Sequence, residues 1–194
     1  SSPGFAITTR IFLAMVRKYM EVRLTVIGSS PAWPNPGSAQ SGYLLQGEKS
    51  LLLDCGPGVL GRLRELELFP SSIAVTHFHL DHWGDLVPWA WLNAFGPPGH
   101  RIECSLWLPP GGRRQLDEFA SRWGTKAMFE NAFQLREFEP GVSFSTVGFE
   151  VEACRLPHYD LVSHGCRVTN GGRTLAYSGD SAPGDVNGQG AGEV

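Results

Sequence analysis

The β-branched and apolar run Ile73-Ala74-Val75-Thr76 opens directly onto His77-Phe78-His79-Leu80-Asp81-His82. The run reads as a buried strand, and the residues after it place three imidazoles and a carboxylate within six positions. Leaving a strand in extended geometry, His77 and His79 are two apart and point the same way, so two rings can grip one ion. Asp81 and His82 follow once the chain has begun to turn toward a helix, which lets them face a second ion beside the first. Any fold built on this chain must therefore present half a metal site at a strand end. A lone histidine beside a strand is most often a satisfied core or surface residue. Here, half of the chain's six histidines crowd into six positions with an aspartate among them, an arrangement hard to obtain by chance. Imidazole and carboxylate without thiolate suit zinc, manganese or iron in a catalytic site better than a structural cysteine site. Two such ions a few ångströms apart can generate hydroxide at neutral pH and hold the oxygens of a scissile bond.

Further along, His158 follows an apolar run in Arg155-Leu-Pro-His158-Tyr, and Asp180 follows another in Ala176-Tyr-Ser-Gly-Asp180-Ser. Together with His77 to His82 these motifs resemble the metallo-β-lactamase fold, and within it the phosphodiesterase branch that includes ribonuclease Z. The resemblance runs from about Met20 to Pro183 and is specific for fold rather than substrate. It implies an α/β, metallo-β-lactamase-like αββα sandwich of two mixed sheets flanked by helices, with the last elements missing and the site at the strand ends. It further implies two divalent metal ions, zinc first, with manganese or iron as alternatives. His77, His79 and His158 would hold one ion, Asp81 and His82 the other, and Asp180 would bridge them. Hydrolysis would then proceed by a metal-bound hydroxide, with Asp81 as the catalytic carboxylate that orients or deprotonates the water. For Asp54, at the end of Leu51-Leu-Leu-Asp54-Cys, two roles stand open: a hydrogen bond to the far nitrogen of a metal-bound histidine, or a cap on the helix starting near Gly58.

The resemblance breaks in two places. Relatives continue past the bridging aspartate into further elements that carry a last histidine, whereas this sequence runs into the glycine-rich Gly184 to Val194 and has no histidine after His164. The second ion is thus expected to have only Asp81, His82 and Asp180, giving a weakened second site and low activity. In addition, only 21 residues separate His158 from Asp180, too few for the long arm that holds tRNA in ribonuclease Z. Pro31 to Ser41 also replace the Pro-x-Lys-x-Arg-Asn loop of those enzymes. A small phosphodiester such as a small or cyclic nucleotide, or another hydrolysable ester, is therefore the first expected substrate. A truncated, non-catalytic metal-binding relative comes second, and a tRNA 3′-end endonuclease third.

The rest of the sequence sets bounds. With 194 residues and 42% apolar composition, the chain is long enough for one domain with a substantial core. The plan is an N-terminal extension over 1–19, a domain over 20–183 and a tail over 184–194. A net charge of −3 without a basic run gives nucleic acid no support from bulk electrostatics, so a small-molecule partner is favoured over it. Oligomeric state stays open, a homodimer included. No run reaches the ~18 apolar residues of a membrane span. Cys55, Cys104, Cys154 and Cys166 lack paired spacing and read as buried, reduced thiols of a cytoplasmic protein.

Element by element, Val22, Leu24 and Val26 alternate as a half-buried strand, and a hairpin covers Gly42 to Cys55. Leu60, Leu63, Leu66 and Leu68 mark a short amphipathic helix. Trp89 and Trp91 read as core within the apolar run 85–95, and 103–108 as a strand. Residues 112–124 read as an exposed helix whose Arg113 and Arg114 form a solvated face. Strands follow at 144–147, 149–156, 165–169 and 174–178, the last two a hairpin. His100 on its turn has no role, and His164 is read as structural.

Overall fold

The computed structural model describes residues 22–183. The expected extension over 1–19 and tail over 184–194 lie outside them. Six strands form the first sheet: β1 (Arg23–Gly28), β2 (Gly42–Gln46), β3 (Ser50–Leu53), β4 (Ser72–Ala74), β5 (Ser105–Leu108) and β6 (Gln134–Glu137). They lie side by side in sequence order, antiparallel from β1 to β3 and parallel from β3 to β6.

Parallel neighbours need crossovers, and the helices supply them: α1 (Val59–Glu65) before β4, α2 (Leu80–Trp83) and α3 (Leu86–Phe95) before β5, α4 (Gly112–Arg122) and α5 (Met128–Ala132) before β6. Because the strand order advances in one direction, right-handed crossovers put these helices on one face. There Leu52, Ile73, Leu106 and Leu108 of the sheet pack with Leu63, Leu86, Trp89, Leu116 and Phe129.

The second sheet is a meander, β7 (Ser143–Thr146), β8 (Phe149–His158), β9 (Leu161–Asn170) and β10 (Arg173–Tyr177), antiparallel throughout. Its inward residues Phe149, Val151, Ala153, Cys166 and Val168 meet Leu45, Leu51, Leu53 and Ala74 of the first sheet. In β3, then, Leu51 and Leu53 serve the interface between the sheets while Leu52 serves the helices. A strand buried on both faces reads as the continuous apolar run seen in the sequence. A helical layer, a mixed sheet and an antiparallel sheet stacked in this order match the metallo-β-lactamase sandwich that the sequence resembles.

Some expectations changed. Leu24 and Val26 are 44% and 55% exposed, since β1 is an edge strand and Ile27 takes its buried position. Trp89 is buried as expected, but Trp91 is exposed and stacks on Phe95. β8 turns straight into β9 through Tyr159 and Asp160, so His164 lies within a long strand rather than at the start of a short one. Neither α5 nor β6 was anticipated. All four cysteines are unbonded, and burial pushes the Cys55, Cys104 and Cys166 thiols up. Among the described residues no helix is long and apolar enough to cross a membrane.

Candidate metal centre

Past β4 the chain stays extended through Val75 to His79, whose φ of −74° and ψ of 138° lead into the single turn of α2. That turn is tied from below. The Cys55 N–H donates to the His82 carbonyl at 2.7 Å, and the Ser41 N–H donates to the Asp81 carbonyl at 3.2 Å. Gly56 lies so close beneath it that an added Cβ would run into the Asp81 carbonyl. Gly56→Ala is therefore expected to lower melting temperature and metal content together, as thermal unfolding and metal analysis would show. On the other sheet, His158 ends β8, and the Ala182 N–H donates to the Pro157 carbonyl at 2.6 Å, so the segment carrying Asp180 lies alongside it.

These elements bring all six expected residues together. His77 Nε2 stands 3.1 Å from His79 Nδ1, which stands 2.9 Å from His158 Nε2. Asp180 divides its oxygens, Oδ2 lying 3.6 Å from His158 Nε2 and Oδ1 3.4 Å from His82 Nε2. Asp81 Oδ2 is 3.5 Å from His82 Nε2. Two overlapping groups result: His77, His79, His158 and Asp180 in one, Asp81, His82 and Asp180 in the other, each with ligand atoms within 4.8 Å of one another.

The donor chemistry fits a divalent metal. Zinc–nitrogen bonds of about 2.0–2.1 Å in a tetrahedron set the nitrogens about 3.3 Å apart, close to the spacing seen. Burial first, then the neighbouring His82, lowers the His77 pKa to about 3. Burial likewise lowers His158. Both rings are thus neutral with a lone pair to offer. At His82 burial opposes the charge, but the hydrogen bond and charge of Asp54, with Asp180 and Asp81, outweigh it and raise the pKa.

Asp54 resolves in favour of the histidine. Its Oδ2 lies 2.7 Å from His82 Nδ1, which fixes that ring with Nε2 toward the carboxylates. The same fully buried carboxylate accepts from the Thr76 N–H at 2.8 Å, the Thr76 hydroxyl at 3.0 Å, the Tyr177 hydroxyl at 2.7 Å and the Ser41 hydroxyl at 3.3 Å. One acid thereby joins β2, β3, the exit of β4 and the end of β10. The start of α1 is served instead by Asp85, whose Oδ2 accepts the Leu60 N–H at 2.7 Å. Thr76, Tyr177 and Ser41 went unnoticed in the sequence, though Thr76 directly precedes His77 and Tyr177 stands three before Asp180.

The remaining candidates take structural places. His164 is buried and its Nδ1–H donates to the Thr76 carbonyl at 2.9 Å, so it steadies the backbone just before His77. Arg113 donates to the Leu135 carbonyl, and Arg114 sits 3.8 Å from Glu118 on the helix surface.

The centre opens on a cavity of about 1240 Å³, walled by Ser29 to Trp33, Tyr43, Phe78, Tyr159 and the stretch 176–181. Among the described residues, no lysine or arginine lines it.

Known proteins share the fold that holds these residues. The chain is 27% identical over 166 residues to the probable metallo-hydrolase YhfI of Bacillus subtilis, covering 83% of this chain and 64% of that protein. The crystal structure of YhfI superposes with a TM-score of 0.69 at 25% identity, over 84% of this chain and 64% of that one. The chain is 32% identical over 168 residues to Rv1339 of Mycobacterium tuberculosis, covering 84% and 61% of the two. Human tRNase Z, short form, shares the fold with a TM-score of 0.62 at 24% identity, over 81% and 68%. The chain thus spans less than two thirds of the length of these two curated relatives, 64% and 61%. Residues 22–186 match the model of the family described as anti-Pycsar protein Apyc1, and the chain belongs to that family, within the metallo-β-lactamase fold.

Proposed function

We propose that this chain carries the site of a metal-dependent phosphodiester hydrolase acting on a small or cyclic nucleotide. The observation that carries the reading is the pair of donor groups sharing Asp180 on the wall of a cavity whose described lining residues include no basic side chain. His77, His79, His158 and Asp180 would hold one divalent cation, and Asp81, His82 and Asp180 a second. Zinc is the first candidate, with manganese or iron as alternatives. When bound, such a pair supplies positive charge to the phosphodiester oxygens and acidifies a water.

The chain's own groups would do the rest. Asp180 sets the two positions side by side, Asp54 keeps His82 Nδ1 protonated and its Nε2 free, and Asp81, at the cavity wall, accepts or orients a proton of the attacking water. A long polyanion such as tRNA needs a basic track, and the described residues of this cavity lining offer none, which favours a small substrate.

The test is turnover of a panel of chromogenic phosphodiesters and cyclic nucleotides by the purified chain with zinc or manganese added. Metal-dependent hydrolysis supports the reading. Stoichiometric metal without turnover points to a non-catalytic metal binder, and cleavage confined to a tRNA precursor points to the endonuclease.

Proton competition should separate the two positions. His82 titrates above the usual histidine value and His77 well below it, so protons reach His82 first as pH falls. The position built on His82 is expected to empty at a higher pH than the one built on His77, giving two steps in metal content against pH. Loss in a single step would contradict the assignment of His82 and His77 to different positions.

A further inference from the structure

Two large aromatic side chains line this cavity with most of their surface left uncovered by the described residues: Trp33 is 75% exposed and Tyr159 86% exposed. Neither is held there by default. Trp33 rides on the proline-rich loop between β1 and β2, and the buried Gln40 amide donates to the carbonyls of the two residues before it, Pro31 at 3.0 Å and Ala32 at 2.6 Å. On the same loop, the Asn35 N–H donates to the Ser30 hydroxyl at 3.2 Å and the Ser30 N–H to the Ala39 carbonyl at 3.0 Å. An apolar ring on a loop pinned at both ends is presented to solvent, with little freedom to fold back.

Tyr159 comes directly after His158, in the tight turn between β8 and β9, with its ring 5.0 Å from the His158 ring. Its φ is +48°, the left-handed region where glycine or asparagine is the easy choice. Neither packing nor turn chemistry asks for an aromatic there. Strain held beside a site, at a residue that buries nothing, calls for a reason in binding.

From these two residues we infer a nucleobase site: Trp33 and Tyr159 offer ring faces on which the base of a nucleotide stacks while its phosphate sits at the metal centre. The inference rests on the hydrolase reading for the phosphate end, but the rings supply their own grip. With no lysine or arginine among the described lining residues, the two rings are the large surfaces the cavity offers to the base end of a nucleotide. Stacking accepts every base, so the site would separate nucleotides from base-free phosphates far more strongly than one base from another.

The experiment is calorimetric binding of adenosine 5′-monophosphate and ribose 5-phosphate to the metal-loaded chain, with ribose 5-phosphate as the ring-free reference for every variant. The intact chain should bind the nucleotide at least about tenfold more tightly, from one stacked base. Trp33→Ala and Tyr159→Gly should each shrink that ratio severalfold and the double variant bring it near unity. Glycine suits the turn, so the melting temperature of Tyr159→Gly should match or exceed that of the parent, which separates lost stacking from lost folding. A ratio near one in the parent, or a ratio unchanged in the double variant, overturns the inference. Because the ratio is read without turnover, a chain that binds the base but cleaves no phosphodiester would sink the hydrolase reading alone.

Discussion

Asp54→Ala is expected to cost this protein more than any other single change away from the metal positions: roughly 10- to 100-fold in metal affinity and hydrolysis, with a marked fall in melting temperature. The carboxylate is fully buried and accepts from a ring N–H, a backbone N–H and three hydroxyls. Alanine would strand those donors, at about 1–3 kcal/mol for each one left buried without a partner. It would also free His82 to rotate or change tautomer. Asp54→Asn separates the two effects, since an amide fills the space and keeps one acceptor oxygen but offers its second atom as a donor. It should regain part of the stability while metal binding at the His82 position stays poor. Thermal unfolding with and without chelator, paired with metal titration, reads both quantities. Near-native behaviour of both variants would mean that Asp54 only fills space.

His79→Ala should leave the fold standing and stop turnover. His79 precedes the short helix α2, is only half-buried, lines the cavity, and makes its side-chain hydrogen bonds among the described residues to His77 and His158, so its loss opens no hole in the core. What disappears is one of three imidazoles around a single point. Hydrolysis is expected to fall to background and one metal equivalent to be lost. The melting temperature of the chelated protein should change little, because residues outside the core contribute within about 0.5 kcal/mol. Retained turnover of a phosphodiester would remove His79 from the site.

The centre was legible because its ligands come as local patterns: three histidines and an aspartate in six positions, a histidine after Pro157, and an aspartate after Gly179. Each follows a run that could hardly be anything but a strand, and strand ends are where such a sandwich opens. The supports were not legible. Ser41 and Thr76 meet Asp54 through the pairing of β2 and β4 with β3, and Tyr177 meets it through the stacking of the second sheet on the first, across 123 residues of chain; a hydroxyl in a strand says nothing of its partner. Alternation misled at Leu24 and Val26, because it reports which residues share a face but not whether that face is covered. The short elements α5 and β6 had too few residues for a period to show. Tyr159 was missed because sequence alone does not reveal that the chain turns through positive φ at a tyrosine.

The central claim is that six side chains from both sheets converge on two adjacent metal positions. Anomalous diffraction at the zinc edge from crystals equilibrated with zinc tests it directly. The expected map shows one peak within about 2.0–2.2 Å of His77 Nε2, His79 Nδ1, His158 Nε2 and an Asp180 oxygen, and a second, weaker one at Asp81, His82 and the other Asp180 oxygen. A map with no peak among His77, His79 and His158, or with zinc bound only elsewhere on the surface, would contradict the account.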